Sequence, residues 1–461
     1  MNKKIIARIG SILLMLSLMV SSLMGCSGKE TKDLSWTKDA VIYEVNVRQY
    51  TEEGTFQAFS ENLEELKEAG VNVLWFMPIH PISETNRSGV LGSYYSVTDY
   101  REINPEFGTA EDFKALVDKA HTMGFKVMLD WVANHTGWDC AWIDEHPEWY
   151  TQDENGNIVS PPGMGWPDVA DLNYDNPEMR QEMIACMKYW VEEYDIDGFR
   201  CDYAGGVPID FWEEARRELE KEKPLYMLAE DNTTPSLLNE AFDFNYNFKL
   251  YEAMVGVAKG TKKANTLKLY IPQNYPEGTY ALNFLDNHDK NAYERTIAEA
   301  FGTEALPAFF AFIYTIPGVP LIYSGDEIGL DHKIAFMEKD AIQWESTGLD
   351  YRPLLGKLAQ IRTDNAALHT GEYGGEIEFY EIENKNVLGY CRSVEENTIT
   401  CLINFSEEEQ AVDVSNLLEE REVVLLHGVG GQTPQYEEIP IEEMNLSGEI
   451  TLQPWEYFVL K

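Results

Sequence analysis

Basic residues are scarce in this sequence. Its 461 residues include 36 Lys and Arg but 79 Asp and Glu, which gives a formal net charge of −43 at pH 7. A protein that binds nucleic acid needs a basic face to neutralise phosphates, so nucleic acid is excluded as a partner. A neutral ligand such as a sugar is compatible with this charge. With 44% hydrophobic and 12% aromatic residues, the composition is that of a globular protein.

Cysteine is also scarce and irregularly spaced. The six cysteines form no CxxC pair and no regular framework, which excludes a zinc ribbon and a disulfide-rich fold. Cys391 and Cys401 lie symmetrically about Glu396 in a predicted hairpin. Two interpretations stay open for them: a disulfide across the hairpin, or two small residues of the core.

The N-terminal apolar run, residues 9–20, is too short to span a membrane. It follows a basic start and leads to Gly25-Cys26, a small residue before a cysteine. This pattern predicts a lipoprotein signal peptide over 1–25 and a polar tether over 26–35. We expect lipidation of Cys26, which implies an exported protein anchored to the membrane at the cell surface. Ordinary secretion with Cys26 as a free thiol is the alternative.

Between residues 36 and 371, short apolar runs alternate with amphipathic stretches. Eight runs are typical of buried strands: 41–47, 71–77, 125–129, 197–201, 225–229, 242–246, 280–285 and 319–323. Their number and order predict an α/β fold, the TIM (β/α)8 barrel, and no Gly-rich phosphate loop follows the first run as in a doubly wound sheet. Residues 136–172 are too many for an ordinary loop and predict a small subdomain inserted after the third strand. From 372 to 461 the pattern alternates without helices, which predicts an all-β C-terminal sandwich.

Polar side chains follow the third, fourth, fifth and seventh predicted strands. They are Asp130, His135, Arg200, Asp202, Glu230, His288 and Asp289. Catalytic groups of a TIM barrel lie at the C-terminal ends of its strands. A single Asp after a strand is most often a helix N-cap, but several acids at matching depth, with histidines and an arginine between them, indicate one shared site.

Two carboxyl groups in opposite protonation states would support glycoside hydrolysis. Arg200 lies two residues before Asp202, on the same side of the strand. We therefore expect a low pKa for Asp202 and an ionised, nucleophilic carboxylate, while a carboxyl in a less cationic place supplies the proton. Metal-dependent hydrolysis is the competing interpretation, because His135, His288 and several acids are potential ligands. The absence of an HxH pair after the first strand weakens it.

The motifs resemble the α-amylase family of retaining glycoside hydrolases. Residues 130–135, residues 198–202, Glu230 and the pair His288-Asp289 occur in the order of the family's four short motifs. The resemblance covers the chain from about residue 41 onwards. It implies the following roles: Asp202 as nucleophile, Glu230 as general acid/base, Asp289 as a clamp on sugar hydroxyls, Tyr95 as the ring that stacks on the cleaved sugar, Arg200 as the partner of Asp202, and His135 and His288 as substrate-binding residues.

The implied activity is hydrolysis of α-1,4-glucosidic bonds in starch-type glucans or maltooligosaccharides by double displacement. An exo-α-glucosidase, a neopullulanase-like enzyme and a transglycosylase are alternatives within the family. A non-catalytic glucan-binding lipoprotein is expected to have lost at least one of Asp202, Glu230 and Asp289, and all three are present.

The chemistry implied by the resemblance needs no cofactor. Asn134 matches a calcium-binding position of the family, so a structural calcium ion is a prediction there. Residues 51–54 are too short for the calcium loop that some members carry. The insertion contributes five large aromatic side chains, which either line sugar subsites or form the insertion's own core: Trp138, Trp142, Trp149, Tyr150 and Trp166.

Overall fold

The computed structural model describes residues 33–271, 275–415, 417, 421–444 and 446–461. The predicted signal peptide, Cys26 and the tether up to residue 32 lie outside these described residues. Within the described part, no helix is long and apolar enough to cross a membrane. Residues from Trp36 to Lys461 form one compact unit.

The first ten strands form the predicted barrel and a small hairpin. They are β1 (Ile42–Val45), β2 (Val73–Phe76), β3 (Lys126–Trp131), β4 (His135–Gly137), β5 (Val169–Asp171), β6 (Gly198–Cys201), β7 (Tyr226–Ala229), β8 (Phe244–Tyr246), β9 (Tyr280–Phe284) and β10 (Val319–Tyr323). Eight of them close into a barrel in the order β1-β10-β9-β8-β7-β6-β3-β2, and each neighbouring pair is parallel. The predicted TIM barrel is therefore confirmed.

Helices follow the barrel strands, and their ends match local sequence signals. The α-helices of the barrel region span Val47–Tyr50, Phe56–Ser60, Leu63–Glu68, Ala110–Thr122, Pro177–Tyr194, Ile209–Leu219, Phe248–Ala258, Ile297–Phe301, Leu306–Thr315 and Arg352–Asp364. Thr109 caps its helix reciprocally with Asp112, as this spacing predicts. Every residue of Leu306–Thr315 is buried. This helix packs on the C-terminal domain, with Phe309 and Phe405 ring centroids 5.0 Å apart.

The insertion is built around one short antiparallel hairpin. β4 pairs with β5, with His135 opposite Asp171, and a four-residue helix, Trp142–Glu145, lies between them in the chain. Trp149 and Tyr150 are buried. The hairpin returns the chain to the barrel beside β3, so both ends of the insertion lie at the C-terminal end of the barrel.

The C-terminal domain is all-β, as predicted. Its strands are β11 (Ile377–Phe379), β12 (Val387–Val394), β13 (Asn397–Asn404), β14 (Gln410–Asp413), β15 (Val423–Gly428), β16 (Ile439–Pro440), β17 (Glu449–Leu452) and β18 (Tyr457–Leu460). Six form an antiparallel sheet, β11-β12-β13-β18-β15-β16, and β14 pairs with β17 separately. A small apolar core that includes Leu402, Val412 and Phe458 lies between the two sheets.

The two cysteines of the β12–β13 hairpin are both free thiols. Cys401 lies opposite Tyr390, and Cys391 lies opposite Thr400, so the register differs by one residue from the pairing that a disulfide needs. Successive side chains of a strand point to opposite faces, and this offset separates the two sulfurs. The disulfide interpretation is therefore wrong: Cys401 is a buried core residue and Cys391 is half-buried.

Candidate active site

A cleft of about 520 Å³ lies at the C-terminal end of the barrel. Six predicted site residues line it: Tyr95, His135, Asp202, Glu230, His288 and Asp289. Parallel strands present their C-terminal ends at one face of a barrel, which explains this convergence. A larger surface cavity, of about 660 Å³, lies beside Leu238, Leu269 and Phe379, and the described residues that line it include no carboxyl group. The chemistry is therefore expected in the smaller cleft.

The seventh predicted residue, Arg200, is fully buried beneath the cleft and contacts three acids. Its Nη1 donates to Oδ1 of Asp130 at 2.9 Å and to Oδ1 of Asp202 at 3.0 Å. Its Nη2 lies 3.0 Å from Oε2 of Glu230. The same oxygen of Glu230 accepts a hydrogen bond of 2.8 Å from the backbone N–H of Tyr203, whose φ of 42° turns that group towards the acid. One guanidinium thus positions both predicted catalytic carboxyls.

The expectation that Arg200 keeps the pKa of Asp202 low is wrong. Burial raises the pKa of Asp202 well above its ordinary value, Glu230 raises it further, and Arg200 only opposes this rise. Burial likewise raises the pKa of Asp130 to about 6. One cation shared by three carboxylates cannot compensate all of them. The acid also does not lie in a less cationic place, because Glu230 contacts the same guanidinium. The raised pKa values belong to Asp202 and Asp130, so they do not identify Glu230 as the proton donor, and that role rests on its place in the resemblance.

Tyr95 and His288 form a stacked wall of the cleft. The Tyr95 hydroxyl donates to Oδ2 of Asp130 at 3.1 Å and lies 2.9 Å from Nε2 of His288. The two rings stack with centroids 5.5 Å apart, and the ring of Phe336 packs against both, with its centroid 6.2 Å from that of Tyr95 and 6.0 Å from that of His288. Tyr95 is therefore held by its ring contacts with His288 and Phe336 and by its hydroxyl.

The insertion supplies the opposite wall. His135 faces the ring of Trp166, with centroids 5.5 Å apart, and burial lowers the pKa of His135 to about 4, so this ring is neutral at neutral pH. The described residues that line the cleft include one of the insertion's five large aromatic residues, Trp166. The other four pack within or beneath the insertion, as its own core.

Asn134 lies buried beside this wall, where its Nδ2 is 3.3 Å from Nδ1 of His135. No group of three or more His, Cys, Asp or Glu side chains in the described part of the chain is placed to hold a metal ion. Calcium takes about six to eight oxygen ligands, usually with carboxylates among them. The donor set around Asn134 does not fit this requirement, and calcium stays an untested prediction.

Sequence analysis missed Glu44 as a site residue. It is fully buried in β1, and its Oε1 contacts Nδ1 of His288. A signal was present, because Glu44 is the only charged residue in the apolar run 41–47. Phe336 and Met337, from a loop, and Tyr293, from the short π-helix Lys290–Glu294, also line the cleft, and they show no periodic signal.

Comparisons with known proteins agree with this fold. Residues 27–157 and 164–366 match a family model described as the alpha amylase catalytic domain, and residues 377–459 match the maltogenic amylase C-terminal domain. The chain is 27% identical over 414 residues to alpha-amylase MalA of Haloarcula japonica, which covers 85% of this chain and 59% of that protein. It is 30% identical over 413 residues to the maltogenic alpha-amylase of Bacillus acidopullulyticus, covering 81% and 68% of the two chains.

A solved structure agrees over most of the fold. The noncanonic maltogenic alpha-amylase AmyB from Thermotoga neapolitana superposes with a TM-score of 0.78 at 30% identity, covering 92% of this chain and 98% of that one. The curated relatives are longer than the matched part: the chain spans 59% of the Haloarcula protein and 68% of the Bacillus protein.

Proposed function

Since the chain belongs to the alpha-amylase family, we propose that it hydrolyses α-1,4-glucosidic bonds of starch-type glucans or maltooligosaccharides with retention of configuration. One observation carries this proposal: Asp202 and Glu230 converge on the buried guanidinium of Arg200 at the cleft. Retaining hydrolysis needs two carboxyl groups at a single bond, one as nucleophile and one as acid/base.

In the proposed mechanism, Glu230 donates its proton to the glycosidic oxygen while Asp202 attacks the anomeric carbon. The bond between that carbon and the leaving oxygen breaks, and a glycosyl ester of Asp202 forms. Glu230 then removes a proton from water, which attacks the same carbon and releases Asp202 as a carboxylate. Arg200 and the backbone N–H of Tyr203 hold Glu230 in place for both proton transfers.

The other cleft residues bind the sugar in this proposal. The side chain of Asp289 is 44% exposed to the cleft and accepts hydrogen bonds from sugar hydroxyls. His135 and His288 hydrogen-bond to the same ring, while Tyr95 and Trp166 present flat apolar faces to it. Hydrogen bonds that shorten as the ring distorts stabilise the transition state more than the substrate.

Two charge-removing substitutions test the roles. We expect Asp202→Asn and Glu230→Gln each to lower kcat on soluble starch and maltooligosaccharides by at least about 10³-fold. Asp231→Asn is the matched control, because Asp231 caps the backbone N–H groups of Thr233 and Thr234, which Asn also does. Wild-type turnover in either catalytic variant would refute the assignment. Loss of activity in excess chelator, with the free energy of unfolding unchanged, would instead support metal-dependent hydrolysis.

A product time course defines the type of action. A defined maltooligosaccharide is digested and its products are followed from the earliest times. An endo-acting hydrolase releases several lengths at once, whereas an exo-α-glucosidase releases one short product throughout. A transglycosylase forms products longer than the substrate, and a neopullulanase-like enzyme also cleaves substrates with α-1,6 bonds.

We also propose export and lipid anchoring at Cys26, which the sequence of residues 1–26 supports. Cells that express the full chain are labelled with a radioactive fatty acid and fractionated. The wild-type protein is expected to be labelled and to sediment with membranes, while Cys26→Ala is unlabelled. Mass spectrometry that finds residues 1–25 intact in a cytoplasmic fraction would contradict the proposal.

A further inference from the structure

We propose that Glu44 is a positioning residue, which holds His288 as an imidazolium and directs its Nε2–H towards the cleft. This inference rests on the proposed function for its effect on catalysis, and it assigns a second buried cation to the same site. Glu44 itself lies in β1 with no exposed surface, so it acts through His288.

Beside an ionised Glu44, the hydrogen bonds of His288 are satisfied when both ring nitrogens are donors. Nδ1 faces Oε1 of Glu44, and an ionised carboxylate accepts hydrogen bonds only. Nε2 lies 2.9 Å from the hydroxyl of Tyr95, whose proton is given to Asp130, so that hydroxyl oxygen accepts from Nε2. A ring with two donating nitrogens is doubly protonated.

His288 is also the main compensation for Glu44. The other carboxylate oxygen of Glu44, Oε2, has no hydrogen-bond partner among the described residues. The neighbouring Tyr43 does not supply one, because its hydroxyl donates to Glu327 at 2.5 Å. A buried carboxylate is costly unless a cation or several donors compensate it, and His288 is in contact with it.

The charges around the ring favour the imidazolium. The titratable or charged groups that face His288 are Glu44 on β1, Tyr95 on its loop, Asp130 on β3, Arg200 on β6, and Asp286 and Asp289 after β9. Burial and Arg200 oppose protonation, but Asp289 and Glu44 outweigh them and raise the pKa of His288 to about 9. The imidazolium therefore persists at neutral pH.

A cation at this place has two consequences for sugar binding. Nε2 lies 3.4 Å from Oδ2 of Asp289, so the imidazolium favours the ionised form of the carboxylate that is proposed to bind sugar hydroxyls. The imidazolium of His288 is also a second positive charge, beside that of Arg200, near the buried carboxyl groups of the cleft. Loss of the charge on Glu44 should therefore weaken binding only at pH values where His288 then becomes neutral.

The direct test is a titration of His288 by NMR in the full chain, with the signal assigned by its loss in His288→Gln. We expect wild-type His288 to remain charged at about pH 8, and Glu44→Gln to lower its pKa by at least about one unit. Tyr43→Phe is the matched control, because it removes a buried hydrogen bond from the same strand and should leave the titration unchanged. A neutral His288 at about pH 7 in the wild type overturns the proposal, and this readout does not depend on glucan hydrolysis.

A second test compares kcat/KM of a variant with that of the wild type at the same pH. In this ratio, the pH dependence that both proteins share through the other site groups cancels. We expect kcat/KM of Glu44→Gln relative to wild type to fall about tenfold more at about pH 8 than at about pH 5. Glu44→Asp, which keeps the charge, should recover part of the loss. A loss of equal size at both pH values indicates a merely structural role and overturns the positioning role. If neither the wild type nor any variant acts on glucans but His288 titrates as expected, the proposed function is wrong and the inference about Glu44 and His288 is still supported.

Discussion

Buried arginines lie at both ends of the barrel, and their partners differ. Arg200, at the C-terminal end, contacts three carboxylates. Arg362 and Arg392, at the N-terminal end, form no ion pair with any described residue. They donate instead to oxygens around the end of the helix Leu306–Thr315 and the segments beside it: the carbonyls of Tyr314, Ile316, Gly318, Leu368, His369 and Gly375, and the hydroxyl of Thr370.

The two environments shift the arginine pKa in opposite directions. Burial lowers the pKa of Arg362 to about 10 and that of Arg392 to about 9. Burial also acts on Arg200, but Asp130 and Glu230 outweigh it and raise its pKa. Carbonyls at a helix C-terminus carry partial negative charge and fix a cation in place. Arg200 instead positions carboxylates that are proposed to react with the substrate. We therefore expect its substitution to affect activity more than stability.

Arg200→Lys should have the largest effect. Lysine keeps the charge but cannot present two separate nitrogens to Asp202 and Glu230. We expect kcat/KM on maltooligosaccharides to fall by at least about 10²-fold, with cooperative unfolding retained. Activity and denaturation curves are measured on the same preparation. Near wild-type turnover would mean that the guanidinium does not position the two acids.

Arg392→Lys should show the reverse pattern. Its guanidinium satisfies several buried carbonyls, so we expect the free energy of unfolding to fall by about 2–4 kcal/mol, while kcat/KM stays within about threefold. Exposed Arg217→Lys serves as the control for the exchange itself. If Arg392→Lys lowers kcat/KM strongly while unfolding is unchanged, the contrast between the two ends does not hold.

The pH dependence of stability sharpens the comparison within the cleft. The folded-state pKa of His288 is raised to about 9, so its stabilising contribution is complete below the unfolded pKa of about 6.5 and is lost as pH rises through about 9. We expect the free energy of unfolding to fall over this window by about 3 kcal/mol, and His288→Gln to flatten the fall. His332→Gln, at an exposed histidine, should leave the wild-type slope intact.

Trp166→Ala should have the smallest effect. Its ring lines the cleft beside His135 and Tyr203, so we expect KM to rise about three- to tenfold with kcat nearly unchanged. Trp142→Phe, in the insertion's core, should lower stability and leave KM unchanged. Equal changes of KM in both variants would show that the insertion acts as a unit and that Trp166 has no specific contact with sugar.

The barrel was predictable because its strands are buried on both faces, and such strands have nearly continuous apolar sequences. The helix start at Thr109 was predictable from its local capping signal. In the C-terminal domain, β18 departs from the alternating pattern, because its four residues are all buried. Of the two interpretations of Cys391 and Cys401, the structure excludes the disulfide, since the turn that follows Val394 places that residue opposite Asn397 and offsets the cysteines by one residue.

Sequence alone determined the fold and the identity of the acids at the strand ends, because both depend on patterns within a few consecutive residues. Tertiary structure decided the charge states. Glu44 meets His288 across 244 residues of sequence, and Glu230 reaches the guanidinium that the sequence had paired with Asp202 alone. A pKa depends on burial and on charges within a few ångströms, whatever their separation along the chain. The reactivity of these carboxyls is therefore a property of the assembled barrel.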